Sequence, residues 1–170
     1  MNTLPLKKFS VLLFLFIAAF TPSCYTQQPV EQLPSPTQTV SIVNEQKLEA
    51  DILDYINQYR VSKGLNELKS EPVIAEQAAQ HSANMASKKV AFSHDGFENR
   101  IQVISGKLGV MSASAENVAL GKLTAKQVVD VWLKSPGHRK NIEGKYQLTG
   151  IGTAVDGQGT VFFTQIFTRK

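Results

Sequence analysis

The sequence predicts a three-layer α/β/α sandwich built on a small, mainly antiparallel sheet. Two strand patterns near the carboxyl end, residues 146–155 and 160–168, flank an Asp-Gly-Gln-Gly segment and form a predicted hairpin. The last strand is apolar on both faces: Val161, Phe163 and Phe167 point one way, Phe162 and Ile166 the other. Such a strand is covered on both sides. Helical patterns elsewhere in the chain supply the two outer layers.

Residues 44–61 and 71–89 form the first two predicted helices. In the first, apolar side chains recur at three- and four-residue spacing, with Asn44 as a candidate cap and Gly64 after its end. The second carries Pro72 in its first turn, where proline is favoured. Its apolar stripe consists mostly of small side chains, which predicts close contact with a neighbouring layer.

The other elements are predicted from shorter patterns. A helix is expected over 98–108, a strand over 115–120, and a helix over 124–133 that Thr124 caps. Gly150-Ile151-Gly152 lies within the penultimate strand. Tight packing explains these glycines better than a phosphate-binding loop, since no strand-to-helix glycine motif surrounds them.

The first 24 residues form a predicted secretory signal peptide. Lys7 and Lys8 precede an apolar run over residues 9–20 that only Ser10 interrupts. A basic start, a short apolar run and small residues after it are typical of such signals. The run is shorter than the ~20 apolar residues that a membrane-spanning helix needs.

Cys24, the single cysteine, lies where a lipoprotein signal would be cut. Residues 18–24 resemble a bacterial lipobox, with the small Ser23 before the cysteine, although Thr21 stands where an aliphatic residue is usual. We predict lipidation of Cys24, which would give two-chain anchoring to a membrane. The alternative is simple secretion with Cys24 in the discarded peptide. Either way the protein is predicted to be extracytoplasmic, secreted or anchored as a lipoprotein.

Residues 25–43 are predicted to be an extended linker, because they are rich in Pro, Gln, Ser and Thr and carry one charge, Glu31. Residues 44–170 form the predicted domain. A chain of that length can bury enough apolar surface to fold without disulfides or metal. A single cysteine also excludes an internal disulfide framework and a cysteine-cluster metal site.

The basic charge of the chain belongs partly to the signal. The net charge is +4, from 18 Lys and Arg against 14 Asp and Glu. Removing the signal takes Lys7 and Lys8 with it, which lowers the basic count to 16 and the net charge to +2. The remaining basic residues are scattered, so no nucleic-acid partner is predicted.

The candidate chemical residues are three histidines and one glutamate. His94 falls in a predicted loop, His138 follows the helix that ends near residue 133, and Glu116 lies within a strand of apolar neighbours. A buried carboxylate needs partners, and the histidines are natural ones. His81 lies at the edge of the apolar stripe of its helix and is expected to be a structural histidine.

Several segments, in their order along the chain, resemble the CAP superfamily, which includes cysteine-rich secretory proteins, antigen 5 and plant pathogenesis-related proteins. The match is to its bacterial, disulfide-free branch and covers roughly residues 45–168. The segments that carry it are Ile56-Asn57-x-Tyr59-Arg60, Gly64-Leu65, Phe92-Ser93-His94, Glu116-Asn117-Val118-Ala119, Trp132-Leu133-x-Ser135-Pro136-Gly137-His138-Arg139-x-Asn141-Ile142, Gly150-Ile151-Gly152 and Thr164-Gln165-x-Phe167.

The resemblance implies an α/β/α sandwich with an open cavity that two histidines and two acidic residues line. His94, Glu116 and His138 occupy three of those positions. The second acid normally falls three residues after the tryptophan, where this chain has Ser135. This departure removes one carboxylate and weakens the case for strong divalent-metal binding.

Three functions remain open at the level of sequence. The preferred one is a non-enzymatic binding module whose cavity holds a small ligand, a lipid, a peptide or a weakly bound divalent cation such as zinc, with His94 and His138 as the metal ligands. The second is a hydrolase, either metal-assisted or built on Ser135, His138 and Glu116 as a serine, histidine and acid. The third is a surface protein whose His–Glu cluster only stabilises the fold. No cofactor is required. For Ser135, the alternative role is to cap the turn over residues 136–142.

Overall fold

A computed structural model describes the backbone of residues 36–170 and the side chains of residues 44–170. The predicted signal, Cys24 and most of the predicted linker lie outside the described residues. Nine elements follow one another along the chain: α1 (Pro36–Ser62), β1 (Lys69–Ser70), α2 (Pro72–Ala86), α3 (Phe97–Leu108), β2 (Ala113–Gly121), α4 (Ala125–Lys134), α5 (Pro136–Ile142), β3 (Leu148–Val155) and β4 (Val161–Arg169).

The helix α1 begins at Pro36 rather than at the predicted start, Asn44. Its first residues belong to the segment that was predicted to be extended. Proline is compatible with the first helical position, and no proline or glycine follows in residues 37–43 to break the helix. The polar composition of a segment therefore did not decide its backbone conformation.

Local sequence accounts for the ends of the other long helices. In α2, Pro72 is in the first turn and the Glu71 carboxylate accepts a hydrogen bond from the Val73 N–H. In α4, Thr124 and Gln127 form a reciprocal capping box. These results confirm the predicted positions of Pro72 and Thr124.

The sheet has the order β1-β3-β4-β2. The pairs β3–β4 and β2–β4 are antiparallel, and β1 runs parallel to β3. The strand β1 was not predicted, because its two residues, Lys69 and Ser70, are exposed and carry no strand pattern. The prediction of a mainly antiparallel sheet is confirmed.

Two separate apolar cores cover the faces of the sheet, which confirms the three-layer sandwich. On one face, α1 and α4 pack Ile56 and Trp132 against Phe163 and Phe167 of β4. On the other face, α2 and α3 pack against Ile166, which alternates with those phenylalanines along the same strand. Every one of these five side chains is fully buried.

Helix α2 lies directly on β3 because Gly150 and Gly152 present no side chain to it. A Cβ atom at Gly150 would overlap the backbone at Ala75, and one at Gly152 would overlap the backbone at Ala79. The predicted tight packing at this glycine pair is therefore confirmed. This contact holds α2 close to the sheet, and α2 in turn carries His81.

Candidate functional site

Glu116 lies in the middle of β2 with a side chain that is only 2% exposed. Its carboxylate is held by two side chains. Arg100 of α3 donates from Nε to Oε2 at 2.9 Å and from Nη2 to Oε1 at 2.8 Å. The His94 ring contacts Oε1 through Nδ1 at 2.9 Å. The prediction that a histidine partners this buried carboxylate is confirmed for His94, and the structure adds Arg100.

Arg100 connects this carboxylate to the loop between α2 and α3. Its Nη1 donates to the Asp95 carbonyl at 2.9 Å and lies 3.2 Å from His81 Nδ1. The His81 Nε2 contacts the Ser93 carbonyl at 3.0 Å. These bonds fix the backbone on both sides of His94, so the network determines where that imidazole stands.

The same contacts define the protonation of His81. Because an arginine only donates, His81 Nδ1 accepts and Nε2 carries the proton that is donated to the Ser93 carbonyl. Burial lowers the pKa of His81, and the nearby Arg100 charge lowers it further, against the opposing hydrogen bond to Ser93. The side chain is therefore a neutral, buried structural histidine, as the sequence indicates, although it touches the network around Glu116.

His94 and His138 face a common groove of about 430 Å³. Since the Glu116 carboxylate is an acceptor, the His94 Nδ1 donates to it. His138 lies on α5, and its Nδ1 is enclosed without a hydrogen-bond partner among the described residues. Burial lowers the pKa of His138, and the neighbouring His94 lowers it further.

The walls of this groove are largely apolar. Phe92, Leu120 and Val131 line it and are exposed by 47%, 44% and 45% of their surface. The groove follows β2, which is an edge strand of the sheet. Glu116 lies behind the wall rather than on it, and Ser135 is not among the residues that line the groove. The four predicted cavity residues are thus only partly brought together.

Ser135 occupies the junction between α4 and α5. It is the residue that precedes the first turn of α5, with Pro136 next, as the capping interpretation predicts. Its hydroxyl, however, makes no capping hydrogen bond. The carboxylate of Glu116 is bonded to Arg100 and His94, and His138 Nδ1 has no partner in the described part of the chain. A serine–histidine–acid relay of Ser135, His138 and Glu116 is therefore not assembled here.

The donor set does not fit a resident zinc ion. Protein zinc sites use three or four protein ligands, and the groove offers the imidazoles of His94 and His138 alone. Both oxygens of Glu116 already accept from Arg100. Within the described residues, no three His, Cys, Asp or Glu side chains converge on one point. Two imidazoles with water would hold a divalent cation only weakly.

Arg100, which forms more bonds in this network than any histidine does, was not predicted from the sequence. No motif marks an arginine in a short helix. The available indication was the carboxylate itself, because a glutamate in an apolar strand requires a cationic or hydrogen-bonding partner. Spacing along the chain does not reveal which of several basic residues supplies it.

A model of the cysteine-rich secretory protein family, CAP, matches residues 53–167. The chain belongs to this family. The recognised resemblance is thereby confirmed, and the single cysteine makes an intrachain disulfide impossible in this member.

The relatives of this CAP protein include bacterial proteins of greater length. It is 28% identical to Bacillus subtilis YkwD over 124 residues, which covers 72% of this chain and 47% of that protein. It is 32% identical over 127 residues to YlbC of the same organism, described as a membrane protein, and covers 34% of it. The chain therefore spans less than half the length of these curated relatives.

Solved structures show the same CAP fold. An extracellular protein with an SCP domain from Bacillus anthracis is 29% identical, with a TM-score of 0.66 over 82% of this chain and 45% of that chain. An outer surface protein of Borrelia burgdorferi superposes with a TM-score of 0.61 at 17% identity, over 81% of this chain and 96% of that chain. The second likeness shows the fold alone.

None of the helices among the described residues has the length and apolar character that crossing a bilayer requires.

Proposed function

We propose that this CAP protein is a non-enzymatic, extracytoplasmic binding module whose groove between His94 and His138 takes an extended peptide with an apolar side chain. The extracytoplasmic location is supported by the predicted signal over residues 1–24 and by the Bacillus anthracis relative, which is described as extracellular. Secretion and lipid anchoring at Cys24 are both part of the proposal.

The combination of imidazoles and exposed apolar side chains in one groove carries this proposal. Phe92, Leu120 and Val131 are each more than two-fifths exposed and lie around the same space. Binding pockets typically combine apolar walls with a few polar groups that orient the ligand. Here the imidazole rings of His94 and His138, which both line the groove, supply the polar groups.

The open end of the β2 edge, at Leu120, favours a peptide over other small ligands. The carbonyls of Glu116 and Val118 accept from Asn141 and Trp132, so even-numbered residues of β2 direct their backbone groups away from β4. The N–H and C=O of Leu120 therefore also point outward, beside the groove. An extended peptide can bond to the backbone groups of Leu120 while one of its side chains enters the groove.

The buried network supports this function by holding one wall of the groove. Arg100 and His81 bind the carbonyls of Asp95 and Ser93, on either side of His94. A wall that is fixed before binding costs less ordering entropy when a ligand arrives. The network around Glu116 can therefore stabilise the fold and also support binding in the groove.

A peptide selection on the purified protein tests the proposal. We expect a random peptide library to yield sequences with an apolar residue that bind with micromolar Kd. Leu120→Glu should weaken their binding at least ~10-fold, because a charge then faces the apolar ligand. The matched control is Val155→Glu, an equally exposed strand valine outside the groove, which should change Kd less than ~2-fold.

Either of two results would contradict the proposal: no peptide enriched over an unrelated protein, or selected peptides that bind the Leu120→Glu variant as tightly as the wild type. Peptide cleavage that disappears in His138→Ala would instead support the hydrolase.

Weak binding of a divalent cation by His94 and His138 is a separate part of the proposal. Titrating zinc into the protein and measuring the heat of binding tests it. We expect weak binding that disappears in the double variant His94→Ala/His138→Ala. Binding that persists in that variant would place the cation elsewhere, and no heat with the wild type would remove this part.

The depressed pKa of His138 predicts loss of stability in acid. Its pKa, like that of His81, is lower in the fold than in the unfolded chain, where it is about 6.5. Below that pH the unfolded state therefore binds more protons than the folded state does. The contribution of these histidines to the free energy of unfolding is fully present above about pH 6.5 and is lost as the pH decreases. Urea unfolding at about pH 7.5 and pH 5 should show this fall, and His138→Phe should reduce it. An unchanged pH dependence in His138→Phe would contradict the assignment.

A further inference from the structure

Arg60 is a buried cation that pairs with no acidic side chain among the described residues. It lies in the last turn of α1 and is 2% exposed. Its guanidinium donates from Nε to the Asn66 carbonyl at 2.8 Å and from Nη1 to the carbonyls of Ile142 and Gly144 at 2.5 and 3.0 Å. Burial lowers the pKa of Arg60, with no opposing contribution from a carboxylate.

The remaining nitrogen of this guanidinium, Nη2, has no hydrogen-bond partner among the described residues. It is not fully enclosed, because it is absent from the set of enclosed side-chain atoms without a partner. Arg60 also lines an open groove of about 470 Å³. Buried charges are ordinarily paired with an opposite charge. An anion in this groove would complete the bonding of Nη2.

Further cations surround the same opening. Lys145 and Arg169 line this groove, and Arg139, Lys140 and again Lys145 line an adjoining groove of about 500 Å³. Both grooves share the segment from Gly144 to Tyr146. None of these basic side chains forms an ion pair within the described part of the chain.

Two carboxylates, Glu67 and Glu143, lie on the walls of these grooves, against five basic side chains. Glu143 accepts the Tyr59 hydroxyl at 2.6 Å, which commits one of its oxygens. The lining therefore carries an excess of positive charge, although the domain as a whole is nearly neutral. The local excess lies in the two grooves, one of which the buried arginine lines.

We propose that these joined grooves bind a phosphate group, with Arg60 Nη2 and the side chains of Lys145 and Arg169 as its donors. A guanidinium matches the geometry of phosphate oxygens, and its hydrogen bonds to an anion are stronger than those to carbonyls. The space of both grooves accommodates more than one phosphate, as a phosphodiester polymer or an anionic lipid headgroup would present. The site is separate from the groove between His94 and His138.

Binding of phosphate compounds to the purified protein tests this site. The probes are inorganic phosphate, a soluble poly(glycerol phosphate) and vesicles of phosphatidylglycerol in phosphatidylcholine. We expect Lys145→Ala/Arg169→Ala to weaken binding of the preferred probe at least ~10-fold. The control Lys89→Ala/Lys134→Ala removes the same charge from exposed residues that line neither groove, and should change Kd less than ~2-fold.

The probes separate the sources of the phosphate. Binding of the polymer or of free phosphate assigns a soluble ligand, and binding of vesicles alone assigns a lipid headgroup. Equal losses in the two double variants would show nonspecific attraction and overturn the proposal, as would no binding of any probe at low salt.

The side-chain Nε–H resonance of Arg60 supplies a readout that does not require substituting it. Addition of the bound probe should shift this ¹⁵N resonance in the wild type, because the charge of its guanidinium becomes paired. A resonance that stays in place at saturation would contradict the assignment of Arg60 as the central donor.

Discussion

Gly152→Ala is expected to destabilise the protein by ~3 kcal/mol or more, or to prevent folding, since overpacking against backbone cannot be relieved by a rotamer change. The added methyl would overlap the backbone of α2 at Ala79. Moving α2 away would open the core around Ile166 and displace His81 from Ser93. Urea unfolding followed by circular dichroism measures the change.

The matched control for this prediction is Gly157→Ala in the turn between β3 and β4. No atom lies within 4 Å of the position that its Cβ would take. We expect a change below ~0.5 kcal/mol for this variant. A Gly152→Ala protein as stable as the control would show that α2 is not in close contact with β3.

Arg100→Met is expected to destabilise the fold by ~3–5 kcal/mol, because removing one partner leaves a buried charge uncompensated. The Arg100 and Glu116 side chains are 11% and 2% exposed, so water replaces the guanidinium poorly. The exposed pair of Lys126 and Asp130 provides the control. Lys126→Met should cost less than ~1 kcal/mol.

A double variant separates the charge effect from lost packing. Arg100→Met/Glu116→Met removes both members of the pair and should be more stable than Arg100→Met alone, since no buried charge is left unpaired. The His94 ring loses its acceptor in this variant, so binding in the groove should still be weakened. A double variant less stable than Arg100→Met would contradict the proposed energetics.

Much of the fold could be predicted because local physics sets it. The hairpin at the carboxyl end, the alternation of Phe163 and Ile166, and the cap at Thr124 all act within a few residues. The start of α1 could not be predicted in the same way, since residues 37–43, which mix polar side chains with Val40, Ile42 and Val43, are compatible with either helix or linker. The strand β1 exists only because β3 offers its edge.

The candidate site was less predictable than the fold. His94, Glu116 and His138 could be named because the family pattern marks them, and His94 does bond to Glu116. The pattern does not report that Arg100 occupies both carboxylate oxygens. It also does not show that His138 lacks a bond to Glu116, since contacts between α5 and β2 depend on how the layers pack.

The sequence by itself determined the layers and the family, because hydrophobic periodicity and motif order are properties of the chain. The tertiary structure alone decided which charges meet. Glu116 and Arg100 lie on a strand and a helix whose side chains converge only when α3 packs on the sheet. Arg60 and Lys145 likewise line one groove only because the elements that carry them pack together. Partners that are distant along the chain are chosen by packing, and packing leaves no local pattern in the sequence.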